Sequence, residues 1–176
     1  TITNSNAISG IQLTGLDSTL LINSQSGQLA LTGGGQVVMG AGSLIAGVDN
    51  DLFQNVNNII IGSGQIGQGN QSLTLSNSSS GVINATGTFT LNTGNMIVNA
   101  GLLEATGGGR LNINDNVSNS GTILANDPDV VHSSVYLYGT VANTGTSTAG
   151  TSHNHQRRRP RLLAAGTCTI STTRVT

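Results

Sequence analysis

Gly81-Val-Ile-Asn-Ala-Thr86, Gly101-Leu-Leu-Glu-Ala-Thr106 and Gly121-Thr-Ile-Leu-Ala-Asn126 are three versions of one phrase, and their glycines are evenly spaced. A fixed period of about 20 residues belongs to solenoids, in which one small unit stacks on the next and no unit buries its apolar face alone. Between the phrases lie short alternating runs. Phe89 and Leu91 alternate with Thr88, Thr90 and Asn92, and Leu111 and Ile113 alternate with Arg110, Asn112 and Asn114. Alternation with period two marks a half-buried strand. Another short strand leads into each glycine: Ile97 to Gly101, Val117 to Gly121 and Val141 to Gly145. Three strands per repeat, joined by Gly, Asn, Ser and Thr, predict one coil of a parallel β-helix.

Extended backward, the period loosens. Gly42-Ser-Leu-Ile-Ala46 echoes the phrase, but the interval from Gly42 to Gly64 is longer than the even step and that from Gly64 to Gly81 is shorter. The interval from Gly121 to Gly145 is longer again, with Asn126-Asp-Pro-Asp-Val-Val-His132 as the expected insertion. The fold class is therefore all-β: a right-handed parallel β-helix of about 20 residues per coil and about seven coils over residues 1–145. Asn99, Asn119 and Asn143 share one repeat position, where stacked amides can bond along the axis. A helical alternative fails, because glycine (25 of 176 residues) breaks every apolar stripe of helical spacing. Aromatic residues are only 2% of the chain, which excludes a bulky globular core but suits a thin aliphatic one.

Charge divides the chain. Through Gly145 there are seven acids and one base, Arg110, for a net charge of −6; from Thr146 on there are five arginines and no acid, for +5. Residues 146–176 form an irregular basic tail, read either as a disordered linker or as translation out of frame, and the coding DNA would decide between them. No run approaches the roughly 18 apolar residues of a membrane span. The chain opens on Thr-Ile-Thr, shows no signal peptide and is expected to be a piece of something longer or a mature product. With Cys168 alone, no internal disulfide is expected.

Candidate chemistry is sparse. Asp49 with Asp51, and Asp127 with Asp129 near His132, are the only acids close enough to suggest acid–base work or Ca²⁺ binding, and solvated turn acids are the expectation for all four. Gly62-Ser-Gly-Gln-Ile-Gly-Gln-Gly69 has the look of a calcium β-roll without its aspartate, and contains a formal dinucleotide fingerprint with no helix after it. His153, His155 and Cys168 are poorly spaced for a metal, and Arg157-Arg-Arg-Pro-Arg161 has no interleaved aromatics for nucleic acid. Arg110 is expected at the surface of one strand. No catalytic, cofactor-binding or metal residue is assigned, and no cofactor, nucleic acid or membrane span is expected.

Asn58-Ile-Ile-Ile-Gly-Ser-Gly-Gln-Ile-Gly67 and the three glycine phrases resemble the repeat regions of autotransporter passenger domains and filamentous-haemagglutinin-like adhesins, over roughly residues 40–145. The resemblance implies a bacterial β-helix exported to the cell surface or medium, in a group whose activities vary; the sparse acids lead to the expectation that this chain is not an enzyme. It would be continuous with a longer chain and would offer a structural or adhesive surface to host or polysaccharide ligands. A fragment of a β-helical polysaccharide lyase or hydrolase is the alternative. An ice-binding solenoid comes third, since Thr88-Phe-Thr90 is not repeated in the next coils.

Overall fold

A computed structural model describes residues 1–7, 10–126 and 132–149 of the chain. These residues form eighteen strands and no helix. The first coil is β1 (Ile2–Thr3), β2 (Ile11–Leu13) and β3 (Thr19–Ile22); the second is β4 (Gln28–Thr32), β5 (Gln36–Met39) and β6 (Leu44–Gly47). The third is β7 (Asp51–Asn55) and the long β8 (Ile59–Ile66), which rounds a corner so that its first half pairs with β5 and its end with β6. The fourth repeats this with β9 (Leu73–Asn77) and β10 (Val82–Leu91). The fifth is β11 (Ile97–Asn99), β12 (Leu102–Ala105) and β13 (Arg110–Ile113), and the sixth is β14 (Val117–Asn119), β15 (Thr122–Ala125) and β16 (Ser134–Leu137). β17 (Val141–Asn143) and β18 (Thr146–Ala149) begin a seventh. Every coil-to-coil pairing is parallel, so the molecule is a three-sided β-solenoid, as the period implied. It has six complete coils, not seven.

The spacing also needs correcting. On the first side Ile2, Leu31, Asn55, Asn77, Asn99, Asn119 and Asn143 are successive partners, so a coil averages about 23 residues. The shorter, even step holds only from β10 to β12 to β15 on the second side and from β11 to β14 on the first. Upstream, the register places Gly35, Asn58 and Gly81 in one column at equal but longer steps. Asn58 stands there in place of a glycine. Gly42 and Gly64, which share the phrase's composition, lie on the third side instead. The four extra residues of the sixth coil fall between Ala125 and Ser134, where the insertion was expected. Parallel pairing continues through β18, past the expected edge at Gly145.

The core is a stack of aliphatic rows. Phe53, Leu75, Ile97 and Val117 fill the first side, Val37, Ile60, Ile83, Leu103 and Ile123 the second, and Ile45, Ile66, Leu91 and Ile113 the third; all are buried. Each buried side chain of this size contributes about 1.5–3 kcal/mol. The cross-section has room for few rings, and both phenylalanines of the chain, Phe53 and Phe89, are inside. Phe89 stands in register with Gly64, so its ring has no side chain beside it at that position of the preceding coil.

One corner is built from amides and glycine. Asn55 Nδ2 donates to Asn77 Oδ1 (2.9 Å), Asn77 to Asn99 (2.9 Å), Asn99 to Asn119 (2.6 Å) and Asn119 to Asn143 (2.6 Å). The predicted ladder of three is thus a ladder of five. Each Nδ2 also donates to a turn carbonyl, such as Gly81 O, Gly101 O or Gly121 O, which fixes the amide's direction because a carbonyl oxygen only accepts and so must face the amide nitrogen rather than its oxygen. Glycine follows at this corner for a steric reason: a Cβ on Gly101 would lie 2.2 Å from Gly81 O, and one on Gly121 2.1 Å from Gly101 O.

Removing Asn99 strands an Asn77 N–H and the Asn119 Oδ1 in the interior. Asn99→Ala is expected to cost about 2–4 kcal/mol in urea unfolding, because buried unpaired polar groups cost roughly 1–3 kcal/mol each. Asn143→Ala, at an exposed rung, is expected to cost under about 1 kcal/mol. Equal losses at the two positions would show that the ladder is not what holds the corner.

Candidate functional site

The third side carries the most varied surface. Its outward positions run in rows along the axis: Thr88, Arg110 and Ser134 form one, and Gln65, Thr90, Asn112 and Tyr136 form the next. Strand alternation puts these residues outside because Phe89, Leu91, Leu111 and Ile113 take the inside. Asn114 and Tyr138 extend the surface toward the next corner.

Arg110 is held by three contacts. Its guanidinium carbon sits 4.0 Å from the Tyr136 ring centre, its Nε donates to Asn112 Oδ1 (3.0 Å), and its Nη2 donates to the Tyr138 hydroxyl (3.4 Å). The two tyrosine rings stack with centres 6.5 Å apart and planes 17° apart. Tyr138 is 62% exposed and Tyr136 42%. Tyr138, Thr90, Asn112 and Asn114 line an open depression of about 440 Å³. A second, of about 540 Å³, shares Thr90 and continues over Thr88, Gln65, Gln68, Ser63 and Ser43. Together they make a shallow trough that crosses several coils. Arg110 is on the surface of one strand, as expected; its tyrosine partners were not foreseen. They become visible once the sixth coil is given its four extra residues, which sets Tyr136 beside Asn112.

Among the described residues the acids are separated, and two of them, Asp51 and Asp115, are used by the fold. Asp49 and Asn50 occupy a left-handed turn (φ 57° and 62°), and Asp49 is exposed. Asp51 is 2% exposed and accepts from the backbone N–H of Ser24 and Val48 (both 3.4 Å), tying one coil to the coil before it. The expectation of a solvated turn acid is wrong for Asp51, whose carboxylate satisfies buried amides. Asn50 Oδ1 accepts from Thr74 Oγ1 (2.8 Å) and Asn95 Nδ2 (2.9 Å). The Asp49-Asn-Asp51 oxygens are thus divided between solvent and structure and do not converge on a cation.

Asp115, which drew no attention in the sequence, accepts from Thr93 N, Thr93 Oγ1 and Gly94 N of the preceding coil. No group of three or more His, Cys, Asp or Glu could hold a metal ion among the described residues. Gly62 and Gly64 belong to β8, with strand rather than helix around them, and a Cβ on Gly62 would meet Met39 O at 2.0 Å; their role is close coil packing. His132 is exposed. Asp127, Asp129, His153, His155, Cys168 and Arg157 to Arg161 lie outside the described residues. Among the described residues no helix is long and apolar enough to cross a membrane.

Comparison with protein families, curated proteins and solved structures gives no significant match.

Glu104 lies on the outer surface of the second side between Asn84 and Leu124 of the adjoining coils. Partial burial raises its carboxyl above the usual carboxylate value, because desolvation disfavours the charged form. A raised folded pKa means that the folded state holds its proton more tightly. The stability this gives is complete below the unfolded value and is lost as pH rises through the folded one. Glu104→Gln is therefore expected to raise the thermal midpoint at pH 7 and to lose that advantage near pH 4. A difference independent of pH would show that the charge at this position carries no cost.

Proposed function

We propose that this chain is a rigid structural or adhesive segment of a bacterial secreted or surface protein, and that it works by presenting ligand-facing side chains from an ordered stack. The observation that carries the proposal is the separation of duties along one strand row. Inward residues at matched positions stay aliphatic (Ile66, Leu91, Ile113), while the outward neighbours change from Gln65 to Thr90, Asn112 and Tyr136. Such a scaffold lets its surface vary without disturbing its core. Coils about 4.8 Å apart hold that surface at fixed spacing, so many weak polar contacts add without further ordering cost.

The resemblance of residues 40–145 to passenger-domain and haemagglutinin-type repeats supports an extracellular or outer-surface setting, with the stack continuous with a longer chain. Host-surface glycans or polysaccharides are the proposed ligands. Among the described residues two of the acids, Asp51 and Asp115, are spent on backbone amides, which lends the enzyme alternative little support.

The test is to immobilise the full chain and pass a panel of neutral and acidic polysaccharides over it, recording both retention and chain length. Retention with unchanged chain length is expected. Shortening of any retained polysaccharide would overturn the structural reading and direct attention to the acids instead.

A further inference from the structure

The trough on the third side has a chemistry that narrows the ligand class. It runs along the solenoid axis, so a ligand lying in it meets one coil after another. The coil spacing of about 4.8 Å is close to the advance per residue of an extended pyranose chain. Its lining is almost wholly neutral: Gln65, Thr88, Thr90, Asn112 and Asn114 carry amide and hydroxyl groups that both donate and accept, and Asn112 is pre-oriented by bonds from Arg110 and to Thr90 that leave one amide N–H and one oxygen lone pair for a ligand. Such groups match hydroxyls, which also do both. At one end stands an aromatic platform. Arg110 covers the Tyr136 ring and tethers the Tyr138 hydroxyl, so both rings are held before any ligand arrives. Tyr138 remains 62% exposed, with a flat apolar ring suited to the C–H face of a sugar and a hydroxyl at its tip.

We propose that this trough binds a linear chain of neutral pyranose sugars, with Tyr138 as the stacking platform and Asn112, Asn114 and Thr90 as the hydroxyl-reading groups. The proposal deepens the adhesive reading and rests on it. A polyanion is a poorer match, because phosphate or carboxylate polymers are held by several cations, and Arg110 is the only arginine or lysine among the described residues. Single-stranded nucleic acid also stacks on aromatic rings but needs a positively charged groove beside them.

The experiment titrates the full chain with linear hexasaccharides of glucose, mannose and N-acetylglucosamine, with hexagalacturonate, and with a short oligothymidylate, each at low and high salt. The same titrations are repeated with Tyr138→Ala and Tyr138→Phe. At least one neutral hexasaccharide is expected to bind with an affinity that salt changes by less than about twofold, as befits uncharged contacts. Tyr138→Ala is expected to weaken it about tenfold, from loss of the stacking platform, and Tyr138→Phe to retain most of it. Because Tyr138 is exposed, the thermal midpoint of the alanine variant should match that of the parent chain, which separates lost binding from lost folding.

Binding confined to hexagalacturonate or the oligonucleotide, with steep salt dependence, overturns the proposal, as does failure of all neutral chains to bind. Neutral binding unaffected by Tyr138→Ala overturns the site while leaving the adhesive reading standing. Cleavage of a bound chain, lost with Tyr138→Ala, keeps the site and overturns the structural reading instead.

Discussion

The structure depends on how closely successive coils can approach at one corner. There the chain turns from the first side to the second, and the backbone of each coil lies almost on that of the next. Glycine at 81, 101 and 121 makes this approach possible, and the amides of Asn55, Asn77, Asn99, Asn119 and Asn143 fill the space beside it with mutually satisfied hydrogen bonds. The two features act side by side. At 101 and 121 a side chain would collide with the carbonyl of the coil before, whereas the column admits Asn58 in the third coil with the Asn55–Asn77 rung intact. The corner carbonyls Gly81 O, Gly101 O and Gly121 O each accept a backbone N–H from the next coil, and the amide Nδ2 of Asn77, Asn99 and Asn119 supplies a second donor to each. Once this corner is fixed, the register of all three sides follows, and with it the rows of aliphatic side chains that supply most of the burial.

The same constraint explains the odd composition. A core only one coil deep accepts Ile, Leu and Val readily and rings rarely, which is why the two phenylalanines suffice. Corners require residues whose side chains bond their own turn, so Asn, Ser and Thr replace charged groups. Two of the carboxylates among the described residues serve similar ends. Asp51 and Asp115 cap backbone N–H groups of adjoining turns, as an Asn or Ser would, only more strongly.

Where the coils keep one length, the sequence disclosed them. On the second side, and from β11 to β14 on the first, residues 81–125 repeat at an even step, and their strands, inward residues and upper amide ladder could be read directly. Elsewhere insertions at corners broke the count while leaving the strands in register. Asn55 and Asn77 escaped notice as rungs because their steps are longer by two than the step from Asn99 to Asn119, and because Asn58 occupies the glycine column. The tyrosines escaped because the four extra residues of the sixth coil hid Tyr136's place beside Asn112. Burial of Asp51 could not be read either: its alternation within β7 is that of an inward residue, but an acid is seldom expected there. A solenoid's period is thus a property of its three-dimensional register, and a linear count recovers it only between insertions.

The amide ladder also has a direction. Each of the first four rungs donates its N–H to the rung on its C-terminal side, and each of the last four accepts from the rung before it. Five aligned dipoles polarise one another in the same sense, so the stack is a vector. A finished coil holds out a donor, already oriented, to whichever segment arrives next, and an arriving segment needs only an acceptor in the right place. The direction of the ladder thus suits a stack that grows from its N-terminal side. A second stack meeting it in reverse would bring donor against donor. The same hydrogen bonds that close the corner therefore also guard against pairing the wrong way round.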